Sequence, residues 1–172
     1  VGNEVLLRGE LTEAELLAYV ARVRAAVPEG VPVGCVDAYF QFLERPSLVA
    51  ACDVLLPNCY PFWEGAHIDQ AAQYLRRMHG LVKAAAGDDK PVLIAETGWP
   101  SRGEPVGAAV PSAEHAMRYF AETQQWGRRE GIKLFWFASF DEPWKRKQEG
   151  EVGTQWGLWD QDEQPKYRTG SA

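Results

Sequence analysis

Short apolar runs alternate along the chain with segments of helical periodicity, and this alternation restricts the fold more than any other feature. The runs are rich in Val, Leu, Ile, Phe and Cys and mostly lack a polar face, which is typical of parallel strands covered on both sides. Strands joined by crossover helices in this way predict one α/β domain. The predicted strands are Gly2–Leu7, Val31–Tyr39, Val54–Tyr60, Pro91–Thr97 and Lys133–Asp141.

Helix signals fill the intervals between these strands. Thr12 and Glu15 have the spacing of a capping box, and Pro28 stops the helix that follows. The other predicted helices show apolar stripes at helical spacing or recognisable start and stop residues. They run from Ile68 to near Gly87, from Ser112 as N-cap to Glu130, and from Pro46 through Ala51.

The length of the chain bears on the choice between two α/β folds. A (β/α)8 barrel of the TIM type usually needs about 250 residues, and 172 residues supply about five βα units. An open doubly wound sheet fits this length, but no Gly-x-Gly-x-x-Gly follows the first strand. We prefer a partial barrel because of the residues that end the strands.

Composition excludes several functional classes. A net charge of −6 argues against a nucleic acid or an anionic membrane as partner, and no apolar run is long enough for membrane insertion. Cys35, Cys52 and Cys59 have no metal-binding spacing and are expected to be buried thiols, with a contact between Cys35 and Cys59 as one option. The three histidines do not cluster, so we expect no metal and no cofactor.

Two glutamates end separate apolar runs, Glu4 after Val-Gly-Asn and Glu96 after Pro-Val-Leu-Ile-Ala. The carboxyl ends of barrel strands form the catalytic face, and retaining glycosidases need two carboxyl groups about 5 Å apart there. One protonates the leaving oxygen and the other attacks the anomeric carbon. Residue types alone leave alternatives open, because Glu96 would equally suit an ion pair and Asn3-Glu4 is a dipeptide that is frequent by chance.

Longer motifs resemble one family. Glu96-Thr-Gly-Trp-Pro-Ser101, after its apolar strand, resembles the nucleophile signature of glycoside hydrolase family 17, the β-1,3-glucanases and related glucanosyltransferases. Gly2-Asn3-Glu4 resembles the family's acid/base strand, the fourth of its barrel. The ends of the sixth and eighth strands and the C-terminal closing segment are matched, in order, by Asn58–Glu64, Phe140–Lys145 and Trp156–Asp160.

The resemblance implies roles for individual residues. Glu96 would be the nucleophile, Glu4 the acid/base, and Asn3 would bind the hydroxyl beside the reacting carbon. Tyr60 would orient the nucleophile or contact the sugar. The other implied substrate contacts each have a plainer alternative, namely core packing or a surface ion pair. They are Trp63, Trp99 and Trp144 as stacking platforms, Glu142 with Lys145 as a polar pair at the rim, and Tyr39 at the end of the fifth strand.

The resemblance also implies that the first three barrel strands are absent from this sequence. Family members carry three strands before the Asn-Glu strand, so residues 1–172 would be the C-terminal part of a single catalytic domain, with barrel strands 4 to 8. We expect a truncated reading frame, a processed fragment or an incompletely represented chain. Open sheet edges expose unpaired backbone groups, so an N-terminal segment or self-association is expected to cover them.

The expected function is retaining hydrolysis of β-1,3-glucosidic bonds, with β-1,3-glucan or its oligosaccharides as substrate. One alternative is transglycosylation, in which a sugar hydroxyl replaces water as acceptor. Another is a related barrel glycosidase that cleaves a different linkage, such as β-1,4. A third is a non-catalytic glucan-binding fragment. The resemblance suggests an extracellular, cell-wall or periplasmic location.

Overall fold

The computed structural model describes residues 1–167, which form two compact units. Unit 1 consists of Val1–Cys59 and Arg76–Ala95. Unit 2 consists of Tyr60–Leu75 and the described chain from Glu96 onward. One helix and one strand continue from one unit into the other, and each unit is described separately below.

The helices and strands alternate as the sequence pattern predicts. In chain order they are α1 (Glu13–Ala26), β1 (Val36–Ala38), α2 (Tyr39–Glu44), α3 (Pro46–Ala51), β2 (Leu56–Asn58), α4 (Ile68–Ala86), β3 (Ile94–Thr97), α5 (Ala113–Glu130), β4 (Leu134–Trp136), a 3-10 turn (Pro143–Lys145) and α6 (Arg146–Gly153). The strands follow the order β1-β2-β3-β4 in one sheet. β1 and β2 run parallel, with Ala38 opposite Asn58. The architecture is a partial α/β fold with a parallel sheet. Within residues 1–167, no helix has both the length and the apolar character that crossing a bilayer requires.

The helix ends predicted from local signals are confirmed. The Thr12 hydroxyl accepts from the Glu15 backbone N–H and the Glu15 carboxylate accepts from the Thr12 N–H, which completes the capping box of α1. The Ser112 hydroxyl caps α5 by accepting from the His115 N–H. α5 ends at Gly131, whose φ of 67° is the left-handed conformation that glycine adopts without strain.

The prediction of a first strand over Gly2–Leu7 is wrong. Only Asn3 pairs, in a single parallel bridge to Val36, and the chain then turns. The buried Asp37 carboxylate holds this turn by accepting the backbone N–H groups of Leu6 and Leu7. Those N–H groups are therefore bound by a side chain and not by a neighbouring strand.

The predicted strand end at Tyr39 is also wrong. Tyr39 is the first residue of α2, and β1 covers only Val36–Ala38. The remaining predicted strands are present in shorter form. The sequence pattern overestimates their length because apolar residues continue into loops that pack on the core.

Unit 1 has an aliphatic core with two cysteines in contact. Leu16 and Val20 of α1 pack with Leu48 of α3, and the cluster includes Cys35 and Cys52. The Sγ atoms of these cysteines are 3.8 Å apart, and all three cysteines are free and buried. The cysteine that lies against Cys35 is Cys52, which follows α3, and not Cys59, which the sequence left as one option.

Unit 2 is built around aromatic rings. Phe62 packs edge-on against both Trp99 and Trp156, at centroid distances of 5.3 and 5.6 Å. Tyr119 of α5 also packs against Trp99, with ring centroids 5.5 Å apart. A Cβ atom on Gly98 would lie 2.1 Å from the carbonyl oxygen of Phe137, so only glycine allows these backbones to approach so closely.

Candidate active site

Glu4 lies in the turn that follows the Asn3 bridge, with a positive φ of 56°. Its backbone N–H donates to Val36 O at 2.9 Å, which extends the parallel pairing to the start of the turn. The Asn58 side-chain amide donates to Glu4 Oε1 at 2.8 Å and to Asn3 Oδ1 at 3.1 Å. Asn58 is the last residue of β2, so a strand end of unit 1 fixes both predicted site residues.

Arg8 is a second polar side chain beside Glu4, in addition to Asn58. Its Nη1 is 3.6 Å from Glu4 Oε2, and its Nη2 donates to the backbone oxygen of Asn3 at 2.6 Å. Arg8 also pairs with Glu10, and this hydrogen bond is the main reason that the pKa of Arg8 is raised and the pKa of Glu10 is lowered. The guanidinium is therefore held at the edge of the turn mainly by Glu10 and the backbone.

Glu96 lies near the end of β3, in unit 2, where it accepts a hydrogen bond from a phenol. The Tyr60 hydroxyl donates to Glu96 Oε2 at 2.7 Å. The Tyr60 ring packs edge-on against Trp156 and Phe137, with centroids at 5.3 and 6.1 Å. Because two rings fix the phenol, the hydrogen bond holds the half-buried carboxylate in one orientation.

The two residues predicted as a polar pair at the rim, Glu142 and Lys145, form an ion pair. Lys145 Nζ is 2.6 Å from Glu142 Oε2 across the 3-10 turn, and each side chain is 21% exposed. Lys145 Nζ also lies 4.1 Å from the centroid of the Phe137 ring. The same ring packs on Tyr60, so the ion pair adjoins the aromatic cluster that holds Glu96.

The three predicted stacking tryptophans differ in exposure. Trp99 is fully buried and its Nε1–H donates to Val110 O, so the prediction that it stacks on a sugar is wrong. The rings of Phe62, His115 and Tyr119 pack around its indole. Trp63 and Trp144 are 43% and 72% exposed, and each has surface that a sugar ring can cover.

Sequence reasoning missed two residues that hold the predicted site. Asn58 had a usable signal, because it ends a buried strand in the same way as Glu96. Arg8 lies four residues after Glu4, a spacing that is informative on helices but not in the turn found here. Within residues 1–167, no three His, Cys, Asp or Glu side chains come together to hold a metal, and His67 contacts Asp69 instead.

Comparison with known proteins first identifies the class of protein, a glycoside hydrolase domain. Residues 1–157 match the model of the BtgE/BtgC glycoside hydrolase domain. The chain is 33% identical to a glucan 1,3-beta-glucosidase of Arthroderma benhamiae, over 97% of this chain and 59% of the relative. It is also 29% identical to a cell surface mannoprotein of Candida albicans, over 92% of this chain and 42% of the relative.

Solved structures narrow the class to a family. The fold superposes with a TM-score of 0.88 on a glycoside hydrolase family 17 beta-1,3-glucanosyltransferase of Rhizomucor miehei, at 35% identity, covering 96% of this chain and 60% of that one. An active-site mutant of the Rhizomucor protein is known in complex with laminaritriose. The chain belongs to glycoside hydrolase family 17, as its motifs predict. It spans about 60% of the length of the Arthroderma and Rhizomucor proteins.

Proposed function

We propose that this protein is a retaining glycoside hydrolase that cleaves β-1,3-glucosidic bonds in β-glucans by double displacement. The observation that carries the proposal is the presence of two glutamates that each accept a hydrogen bond from a neutral side chain. Asn58 binds Glu4 at 2.8 Å and Tyr60 binds Glu96 at 2.7 Å. Membership of family 17 supports the reaction class.

In the first step, Glu96 attacks the anomeric carbon and the bond to the leaving oxygen breaks. Glu4 gives its proton to that oxygen, so the departing sugar leaves as a neutral alcohol. In the second step, Glu4 takes a proton from water as the water attacks the same carbon. The bond to Glu96 breaks as the bond to water forms, and both carboxyl groups return to their starting states.

Substrate contacts are proposed for residues with accessible side chains. Trp63 and Trp144 would stack on sugar rings, since each indole is substantially exposed. Asn3 would bind the hydroxyl beside the reacting carbon, and the Glu142–Lys145 pair would contact sugar hydroxyls. Tyr39, at the start of α2, would make a further contact. The mannoprotein relative is named as a cell-surface protein, which supports a cell-wall or extracellular location.

The test is azide chemistry on variants of the full natural protein. Glu96→Ala should lower kcat on the order of 10⁴-fold or more, as expected for loss of a covalent nucleophile. Azide should then restore part of the turnover of an activated β-glucoside and yield an α-glucosyl azide, because a single displacement inverts the carbon. Glu4→Ala should yield the β-azide, formed by azide attack on the glucosyl-enzyme.

Three outcomes would count against this assignment. Azide products of exchanged configuration would reverse the two roles. Near-parent activity of Glu96→Ala would remove Glu96 from the reaction. Binding of the parent protein to insoluble β-1,3-glucan without release of reducing sugar would favour the non-catalytic alternative.

A second candidate is β-1,3-glucan transglycosylation, and one observation favours it. The Rhizomucor protein that is 35% identical to this chain is named a beta-1,3-glucanosyltransferase. The two activities share the glucosyl-enzyme and differ only in the acceptor. Incubation with laminari-oligosaccharides of defined length separates them: products longer than the substrate indicate transfer, and shorter products alone indicate hydrolysis.

A further inference from the structure

We propose that Asn58 is the positioning residue of the acid/base: it holds Glu4 for proton transfer and directs the acidic proton to Oε2. This inference rests on the proposed function, in which Glu4 donates the proton to the leaving oxygen. Asn58 has no role in the covalent chemistry: it acts on proton transfer through Glu4, and its second acceptor is Asn3 Oδ1.

The geometry of Asn58 is specific for this task. Its side chain is only 3% exposed, and both of its contacts are made by the amide nitrogen, to Glu4 Oε1 at 2.8 Å and Asn3 Oδ1 at 3.1 Å. Within residues 1–167, Asn58 Oδ1 is buried and has no hydrogen-bond partner. The orientation of the amide is therefore set by its two acceptors, and a flipped amide would place oxygen against the Glu4 carboxylate.

An amide can only donate at its nitrogen, and this decides where the Glu4 proton resides. The Asn58 N–H binds Oε1 when Glu4 is ionised, and the same bond persists when Glu4 is protonated, provided that the proton is on Oε2. A proton on Oε1 would compete with the Asn58 N–H for the same atom. Arg8 Nη1 forms an ion pair with Oε2 at 3.6 Å, beyond hydrogen-bond distance, so the Asn58 donor and the Arg8 cation lie beside different oxygens of Glu4.

The backbone explains why Glu4 needs an external support. Glu4 has a positive φ of 56°, in a turn that is exposed on the side of Asn3 and Arg8. Asn58, in contrast, is fixed within the β1–β2 ladder opposite Ala38. The amide thus ties the side chain of a turn residue to a regular strand, which is the support that a proton donor requires.

The test uses the dependence on the leaving group, in the full natural protein. Asn58→Leu keeps the approximate volume of the side chain and removes the donor. The kcat/KM for laminari-oligosaccharides should fall roughly 10- to 100-fold, the size expected for loss of a hydrogen bond to a charged group. The kcat/KM for 2,4-dinitrophenyl β-laminaribioside should change less than about threefold, because dinitrophenolate leaves without a proton.

Two further variants make the test decisive. Gln41→Leu removes another buried amide of unit 1, on α2, and it should affect both substrates equally. Asn58→Ala is assayed if Asn58→Leu does not fold. Equal losses on both substrates for the Asn58 variants would show a structural role only and overturn the inference. If Glu4→Ala itself showed no dependence on the leaving group, the proposed function would fail and the inference with it.

Discussion

The two units hold the same functional group in different surroundings. Unit 1 has an aliphatic core, and its Glu4 is held by the amide of Asn58. Unit 2 has an aromatic core, and its Glu96 is held by the phenol of Tyr60 between two rings. Environment assigns roles to carboxyl groups that are chemically identical, so the contrast supports the different tasks proposed for the two glutamates.

The two donors differ in a way that suits those tasks. An acid/base must gain and lose a proton, and the Asn58 amide donates in both states without taking part in the exchange. A nucleophile must stay ionised and aligned, and the Tyr60 phenol offers a short hydrogen bond from a rigid ring. The donors are only two residues apart in the sequence, on the segment that connects unit 1 to unit 2.

The largest expected effect is on the free energy of unfolding, after substitutions in the cores of the two units. Trp99→Ala should lower the free energy of unfolding by about 3–5 kcal/mol, because it removes a fully buried indole that contacts three rings. The matched change in unit 1, Leu16→Ala, should cost about 2–5 kcal/mol and lacks the ring–ring component. Denaturant titration followed by circular dichroism measures both.

The same pair of variants tests whether Trp99 is a core residue and not a sugar-stacking residue. Since its indole is buried, KM for laminari-oligosaccharides should be unchanged in the folded Trp99→Ala protein. A Trp99→Ala loss smaller than that of Leu16→Ala would contradict the view that unit 2 depends on its interlocked rings. A raised KM without loss of stability would restore the stacking role that the sequence suggested.

Features set by local sequence were predictable. The limits of α1 and α5 follow from caps and stops, which are contacts between residues three or four apart. The strand-end position of Glu96 was predictable because a buried parallel strand requires a continuous apolar run. The longer motifs then identified the family, although no single residue of the Glu4 turn would have done so.

Features set by distant contacts were not predictable. The turn at Glu4 depends on Asp37, more than thirty residues away in the sequence, whose carboxylate binds the N–H groups of Leu6 and Leu7. The burial of Trp99 depends on Phe62 and Tyr119, which come from other segments. A tryptophan beside a catalytic glutamate has the same pattern in the sequence whether its ring is buried or exposed.

A smaller effect distinguishes the two donors directly. Tyr60→Phe keeps the ring that packs on Trp156 and removes only the hydroxyl that binds Glu96. Loss of a hydrogen bond to a charged group costs about 1.5–3 kcal/mol, so kcat/KM should fall roughly 10- to 100-fold. In the proposed mechanism, attack by Glu96 is required whatever group departs, and the fall should therefore be similar for laminari-oligosaccharides and for 2,4-dinitrophenyl β-laminaribioside.

Tyr119→Phe is the matched control for this measurement. It also removes a tyrosine hydroxyl from unit 2, but that hydroxyl bonds to Thr97 Oγ1 at 2.7 Å in a buried site. Tyr119→Phe should lower the melting temperature slightly and leave kcat/KM of the folded protein near the parent value. If Tyr60→Phe slowed the oligosaccharide alone, Tyr60 would be assisting proton transfer to the leaving group, and the division of tasks between amide and phenol would be wrong.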